Sequence, residues 1–242
     1  MTPIKPESIF TISNFHVTDT MAGTLLTDAV ILLFVFFLYK RIKAQPGKLQ
    51  SMVEMFFEYF YTLAKEVAGT RAGNIFIWFI SFFLFIFISN FLGLLPGYSA
   101  FGFYEHGHLV PLLRAPTSDL NVTLGLALVS VVATHYLAIK YTGIKDYLKR
   151  FFSFSPLLLF IGMLELVSEV TKLISFSFRL FGNIFAGEVV MSKVASIFPI
   201  IAPLPFLGLE IIVAVVQALV FAMLTMIFMS ILTTPHSAEG GH

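Results

Sequence analysis

The sequence predicts an all-α integral membrane protein. About five membrane-crossing helices are expected plus an amphipathic interfacial helix, with the last two crossings long, strongly tilted and paired as a hairpin. Three observations predict this class. Hydrophobic residues make up 57% of the 242 positions and charged residues only 12%, where an ordinary soluble domain carries about 25% charged residues. Apolar runs close to the roughly 20 residues that a helix needs to cross the hydrocarbon layer recur from the twenties almost to the C-terminus. Two clusters of basic residues then fall at loop positions that one alternating topology puts on the same side.

The helices follow in order. Residues 22–39 form the first apolar run, which stops at Lys40, Arg41, Lys43 and Lys48 around Pro46-Gly47, a helix stop and a positive cluster together. The positive-inside rule makes that end cytoplasmic and leaves 1–21 as an external N-terminal segment. No basic stretch feeding a short apolar core precedes it, so no cleaved secretory signal is expected. Residues 49–67 mix apolar positions at helical spacing with Glu54, Glu58, Lys65 and Glu66, the pattern of a helix lying along the inner interface. The run 75–95 is rich in phenylalanine, contains Trp78 and ends at Pro96-Gly97 on the outer side. Residues 98–118 read as a polar external loop. Its Glu105, His106 and His108 lack a further ligand, so no metal site is expected. The run 120–139 returns inward to Lys140, Lys145, Lys149 and Arg150, the second positive cluster.

Residues 156–197 form a helical segment that would reach about 63 Å, roughly twice the membrane, so it must tilt or bend. Pro199, Pro203 and Pro205 break it, and 206–232 is the last membrane helix, ending on the cytoplasmic side. The whole, 1–242, reads as a single membrane domain with no internal repeat. A net charge of +1 gives no reason to expect nucleic acid, and the absence of cysteine excludes disulfides, thiol catalysis and thiolate metal sites. No cofactor is implied.

The informative residues are charges in the wrong solvent. The long segment carries Glu165, Glu169, Lys172, Arg179, Glu188 and Lys193, and the last helix carries Glu210 and Gln217. An ionisable group at bilayer depth costs about 2.5–3.5 kcal/mol even on the permissive insertion scale. At 100° per residue, Glu165, Ser168, Glu169, Lys172, Ser175, Arg179 and Asn183 share one arc and form a polar stripe that climbs about 27 Å. Such a stripe suits a wet path or a protein partner, not lipid. Glu188 lies off that arc, near Gly182 and Gly187. Glu210 and Gln217, two turns apart, point the same way and face Arg179 and Asn183 if the last two helices form a hairpin. Ion pairing between helices competes as an explanation, with Arg179 neutralised by Glu188 or Glu210, and it suits Lys172 and Lys193 best. Arginine, however, does not shed its proton, whereas carboxyl groups in such surroundings exchange protons near neutral pH. A fixed cation buried beside titratable acids is what movement of a small cation, the proton foremost, requires. His135 is read as a packed or interfacial histidine.

The segment Ser175-Phe-Ser-Phe-Arg179-Leu-Phe-Gly-Asn183-Ile-Phe-Ala-Gly-Glu188 resembles the signature helix of subunit a of F-type ATP synthases. Four further blocks resemble that family in its own order: Ser89-Asn-Phe-Leu-Gly-Leu-Leu-Pro96, Pro116-Thr-Ser-Asp-Leu-Asn-Val-Thr123, Leu164-Glu165 with Ser168 and Lys172, and Gln217-Ala-Leu-Val-Phe-Ala-Met-Leu-Thr225. The resemblance spans about residues 20–232. It implies a non-catalytic membrane stator facing a rotating c-subunit ring, with peripheral-stalk b subunits and the rest of the ATP synthase as partners. Proton translocation through two half-channels would couple proton-motive force to ATP synthesis. It implies that Arg179 meets the carboxylate of each passing c subunit, and that Asn183, Glu188, Glu210 and Gln217 line the outer half-channel. Glu165, Ser168, Glu169 and Ser175 lie toward the inner side, and Asp119 and Asn121 widen the outer entrance, with helix capping an equal reading for Asp119. Some relatives have histidine at the position of Glu210, so here the relay is a carboxylate pair, expected to titrate as a coupled pair. A bacterial plasma membrane is the implied location, though an organelle-encoded copy would look the same. A self-contained channel and a purely structural anchor are the rival readings.

Overall fold

A computed structural model describes residues 8–12, 15–43, 46–95, 98, 102–105, 108–151, 156–197 and 202–234. Seven helices carry the fold: α1 (Asp19–Arg41), α2 (Lys48–Ala68), α3 (Ala72–Leu94), α4 (Leu120–Thr142), α5 (Ile144–Phe151), α6 (Pro156–Ile197) and α7 (Pro203–Thr233). Two antiparallel hairpins, β1 (Ser8–Ile12) with β2 (Phe15–Thr18) and β3 (Gly102–Glu105) with β4 (His108–Pro111), adjoin the starts of α1 and α4. Pro96, Gly97, His106 and Pro199, used above to end helices or weigh a metal site, lie outside the described residues.

The chain is an all-α integral membrane protein. Among the described residues four helical stretches are long and apolar enough to cross a bilayer: Asp19–Arg41, Gln50–Leu94, which takes in both α2 and α3, Leu120–Thr142 and Pro203–Thr233. α6, at 42 residues, exceeds all but one of them in length but is not in that set. The sequence reading missed three elements. The β-hairpins are built from strands of only four or five residues, and α5 is an eight-residue basic helix whose Lys149 and Arg150 give only a topology signal.

Local chemistry accounts for the helix ends. Thr18 caps α1 by accepting the Met21 amide at 3.4 Å, with Asp19 in the first turn and Lys40 and Arg41 in the last, each complementing the helix dipole. Asp119 caps α4 by accepting the Asn121 amide at 2.9 Å. Gly69, at φ 54, ends α2 in the left-handed region that favours glycine and returns its amide to the Lys65 carbonyl. The chain then turns back, so that α2 runs antiparallel to α3, with Phe60 against Phe79 and Phe56 against Phe83 at ring separations of 5.1 and 5.3 Å. One face of α2 is buried there through Phe60 and Ala64, while Met52, Met55 and Tyr59 stay exposed.

The core lies between α3, α4, α6 and α7. Phe79, Ile75 and Ile86 of α3 meet Phe221, Met226 and Met229 of α7, with Leu180 and Phe176 of α6 and Ala127 and Ala133 of α4 closing the cluster. Small residues bring the backbones together, and hydroxyl pairs cross the interfaces: Thr123 with Ser177 at 3.2 Å and Ser130 with Thr225 at 2.9 Å. In lipid, where helices gain nothing from leaving water, such close packing and polar cross-links are what hold them. α6 runs unbroken for 42 residues and packs on α7, as the expected hairpin requires.

Candidate ion path

α6 carries three groups of polar residues along its length, and each meets a different part of the fold. At the end beside α5, Arg150 pairs with Glu165 at 2.5 Å, while Glu169 pairs with Lys172 and approaches the His135 ring from α6, Oε2 to Nε2 at 3.5 Å. Tyr147 of α5 completes this group, its hydroxyl 2.9 Å from His135 Nδ1. Burial, aided by the Glu169 and Glu165 carboxylates and opposed by Arg150, pushes the Tyr147 phenol up. It therefore remains a neutral hydroxyl. Ser168, between these residues, is exposed.

About 21 Å farther along from Glu165, at the helical rise, stands Arg179. Its guanidinium donates to Ser175 Oγ at 3.1 Å, and the residue is exposed on the outer face of the bundle. None of the described acidic residues forms an ion pair with it, so neutralisation by Glu188 or Glu210 does not occur. The burial expected of Arg179 is likewise not supplied by this chain. The physical reason is that α6 turns its buried face, with Phe176, Ser177, Leu180 and Ile184, toward α4 and α7, which leaves Arg179 on the opposite side. There it shares the polar arc of α6 with Ser175 and the exposed Ser168.

One turn on, Asn183 donates to Gln217 Oε1 of α7 at 2.8 Å. The expected facing of α6 and α7 is thus realised at this pair but not at Glu210 with Arg179. Glu210 instead lies over Gly187, where any Cβ would occupy the position of its carboxyl group. It is close enough to Glu188 for the two carboxyl groups to interact electrostatically.

The third group gathers at the hairpin end. Glu188 pairs with Arg114 at 3.8 Å, and Arg114, 7% exposed, donates from Nε to Ser118 Oγ at 3.0 Å. Thr20, at the start of α1, donates to Asp119 Oδ2 at 3.0 Å, and the same carboxylate holds the Asn121 side chain at 3.1 Å. Asp119 therefore does cap α4, and it also ties α1 to α4. Asp19 is fully buried beside this group and acts electrostatically on Glu188. In the α3 and α7 wall, Thr117 donates to Asn90, whose amide donates to the Ala214 carbonyl at 3.5 Å.

Sequence reasoning missed Arg114, Asp19, Arg150, Tyr147 and the role of His135 in this arrangement. Arg114 stands two residues before the Pro116 block, within the segment 98–118 that reads as an external loop. His135 and Arg150 have no periodic partner in sequence, and only the packing of α4 and α5 against α6 brings them to Glu169 and Glu165. Among the described residues no group of three or more metal-ligating side chains converges.

A bundle of membrane helices with ionisable side chains spread along a helix too long to stand upright defines an integral membrane protein built to handle ions. The family model described as ATP synthase A chain matches residues 21–230, and the chain belongs to that family. Similar proteins include ATP synthase subunit a of Moorella thermoacetica, 27% identical over 95% of this chain and 97% of that protein, and ATP synthase subunit a of Geotalea daltonii, 30% identical over 93% and 89%. ATP synthase subunit a 1 of Hahella chejuensis is 32% identical over 90% and 86%. Membership makes the chain a membrane subunit of an ATP synthase, engaged in ATP synthesis and ion transport.

Proposed function

We propose that the chain translocates protons through two half-channels that meet at its interface with a rotating ring of c subunits, and is itself the non-catalytic stator of that motor. The carrying observation is the setting of Arg179: a permanent cation exposed on the polar stripe of a membrane-embedded helix, with no ion pair to an acid among the described residues. A charge so placed in hydrocarbon calls for a partner from another subunit, and an acid carried past it by a rotor meets that need. Arg179 then favours the ionised form of each arriving carboxylate, and its own charge bars protons from leaking directly between the half-channels.

Glu188, Glu210, Asn183, Gln217, Asp119 and Asn121 would form the outer half-channel, and Glu165, Ser168, Glu169 and Ser175 the inner one. The grouping of Glu188 with Arg114 at one end of α6, and of Glu165 and Glu169 with α5 at the other, supports two paths that stop short of each other. Peripheral-stalk b subunits would hold the stator against the ring. The basic clusters at Lys40–Lys48 and Lys140–Arg150 support an orientation with the N-terminus outside, the C-terminus cytoplasmic and α6 as a fifth crossing, in what would be a bacterial plasma membrane.

The test is ATP-driven proton pumping in assembled complexes carrying Arg179→Ala. Pumping should fall to background while the complex still assembles. Retained pumping would reduce the chain to an anchor, and rapid proton flux from the purified chain alone in liposomes would make it a self-contained channel.

A further inference from the structure

We propose that His135 is a proton-carrying residue at the α5 end of the path, passing protons between the Glu169 carboxyl group and the Tyr147 hydroxyl. The inference rests on the half-channel reading above and deepens it by naming a residue that touches the transported proton.

The geometry separates the two ring nitrogens. Nε2 faces α6, 3.5 Å from Glu169 Oε2, and Nδ1 faces α5, 2.9 Å from the Tyr147 hydroxyl. The first distance suits an ion pair or one bridging water. A histidine that only packs needs neither contact; here each ring nitrogen has its own partner on a different helix, the arrangement a two-sided proton carrier requires.

The surrounding charges also favour exchange. Glu165, Glu169 and Lys172 face the ring from α6, and Tyr147 and Arg150 stand beside it on α5. The only ionisable residue of α7 is Glu210, which lies at the far end over Gly187. Two carboxylates against Lys172 and Arg150 leave the group electrically balanced around a neutral imidazole. A proton arriving on the ring is therefore neither trapped by excess negative charge nor barred by excess positive charge. Tyr147, held as a neutral phenol, can accept a hydrogen bond from the ring and donate its own to water.

The steps balance. A proton delivered along α6 leaves the Glu169 carboxyl group and binds Nε2, which makes the imidazolium and restores the carboxylate. The Nδ1 proton then leaves toward the Tyr147 oxygen as the phenol proton passes to water, so that both residues end neutral. One proton has entered and one has left. A ring flip or exchange with water returns the starting tautomer, and the sequence runs equally in reverse.

The test uses the assembled membrane sector in inverted vesicles, stripped of its catalytic head and driven by a potassium diffusion potential. His135→Gln can still hydrogen-bond but cannot take up a second proton, and passive proton flux should fall about tenfold, a modest share of what a positioned proton-transfer group contributes. His135→Ala should recover flux when millimolar imidazole is added, which no bracing role would produce. Flux in His135→Gln equal to wild type, or no imidazole recovery in an assembled His135→Ala sector, overturns the proposal. If His135→Ala fails to assemble, His135→Gln decides. Arg179→Ala is measured in parallel with the head attached: if it still pumps, the half-channel reading has failed, and if it does not pump while His135→Gln conducts normally, only the role of His135 has.

Discussion

Gly187 shows how much a single atom decides at the residue scale. The Glu210 carboxyl group occupies the space that a Cβ on residue 187 would fill, so the absence of a side chain on α6 is what lets an acid on α7 reach the neighbourhood of Glu188. Gly187→Ala is therefore expected to displace Glu210 and lower coupled proton flux several-fold in complexes that still assemble, and Gly187→Ala with Glu210→Asp should recover part of it, because the shorter acid clears the new methyl group. ATP-driven quenching of a pH dye in vesicles measures both variants. No recovery in the double variant would show that the displaced acid is not the cause. Arg179 behaves differently at the same scale. Its importance was legible in the sequence because an arginine in hydrocarbon needs a reason, but its exposure was not, since a helical arc shows which residues share a face and not what that face meets.

At the scale of elements, α1 is the least embedded of the apolar helices, with Leu25, Leu32, Leu33 and Phe36 exposed, and its docking depends on its first turns. There Gly23 lies against the Arg114 carbonyl, Thr20 holds Asp119, and Asp19 is buried. A methyl group at position 23 would meet backbone, which cannot swing aside as a side chain can. Gly23→Ala should cost about 1–3 kcal/mol, the usual range for overpacking. It should be read as a lower thermal midpoint of the detergent-solubilised complex, with Gly73→Ala, where nothing lies within 4 Å, as the unaffected control. An unchanged midpoint for Gly23→Ala would mean that α1 is not anchored at this contact. α5 carries the opposite lesson. Its eight residues bring Arg150 and Tyr147 to α6, and Ile144, Tyr147, Leu148 and Phe151 do recur at helical spacing, a signal that its brevity and its basic residues masked.

For the whole molecule, the face of α6 that carries Arg179 should be the one covered by the ring. The sequence has no cysteine, so single cysteines report without background. Cysteine at Ser168, Ala186 or Val190, which share the arc of Arg179, should form disulfides with cysteines placed on the c subunit in assembled complexes, whereas cysteine at Met55 of α2, exposed on another element, should not. Cross-linking from Met55 alone would put the ring on a different side of the bundle. The sequence by itself determined the class of the protein, the order and approximate limits of its long helices, and the residues whose charge has no business in lipid, because hydropathy, helical period and the cost of a buried charge are all properties of the chain read locally. Only the tertiary structure decided the partners: Arg114 for Glu188, Gln217 for Asn183, Gly187 beneath Glu210, His135 between Glu169 and Tyr147, and no described acid for Arg179. Helix period assigns a residue to a face, but which faces meet depends on small residues and short helices that allow close approach, and those contacts join positions as far as 74 residues apart in sequence.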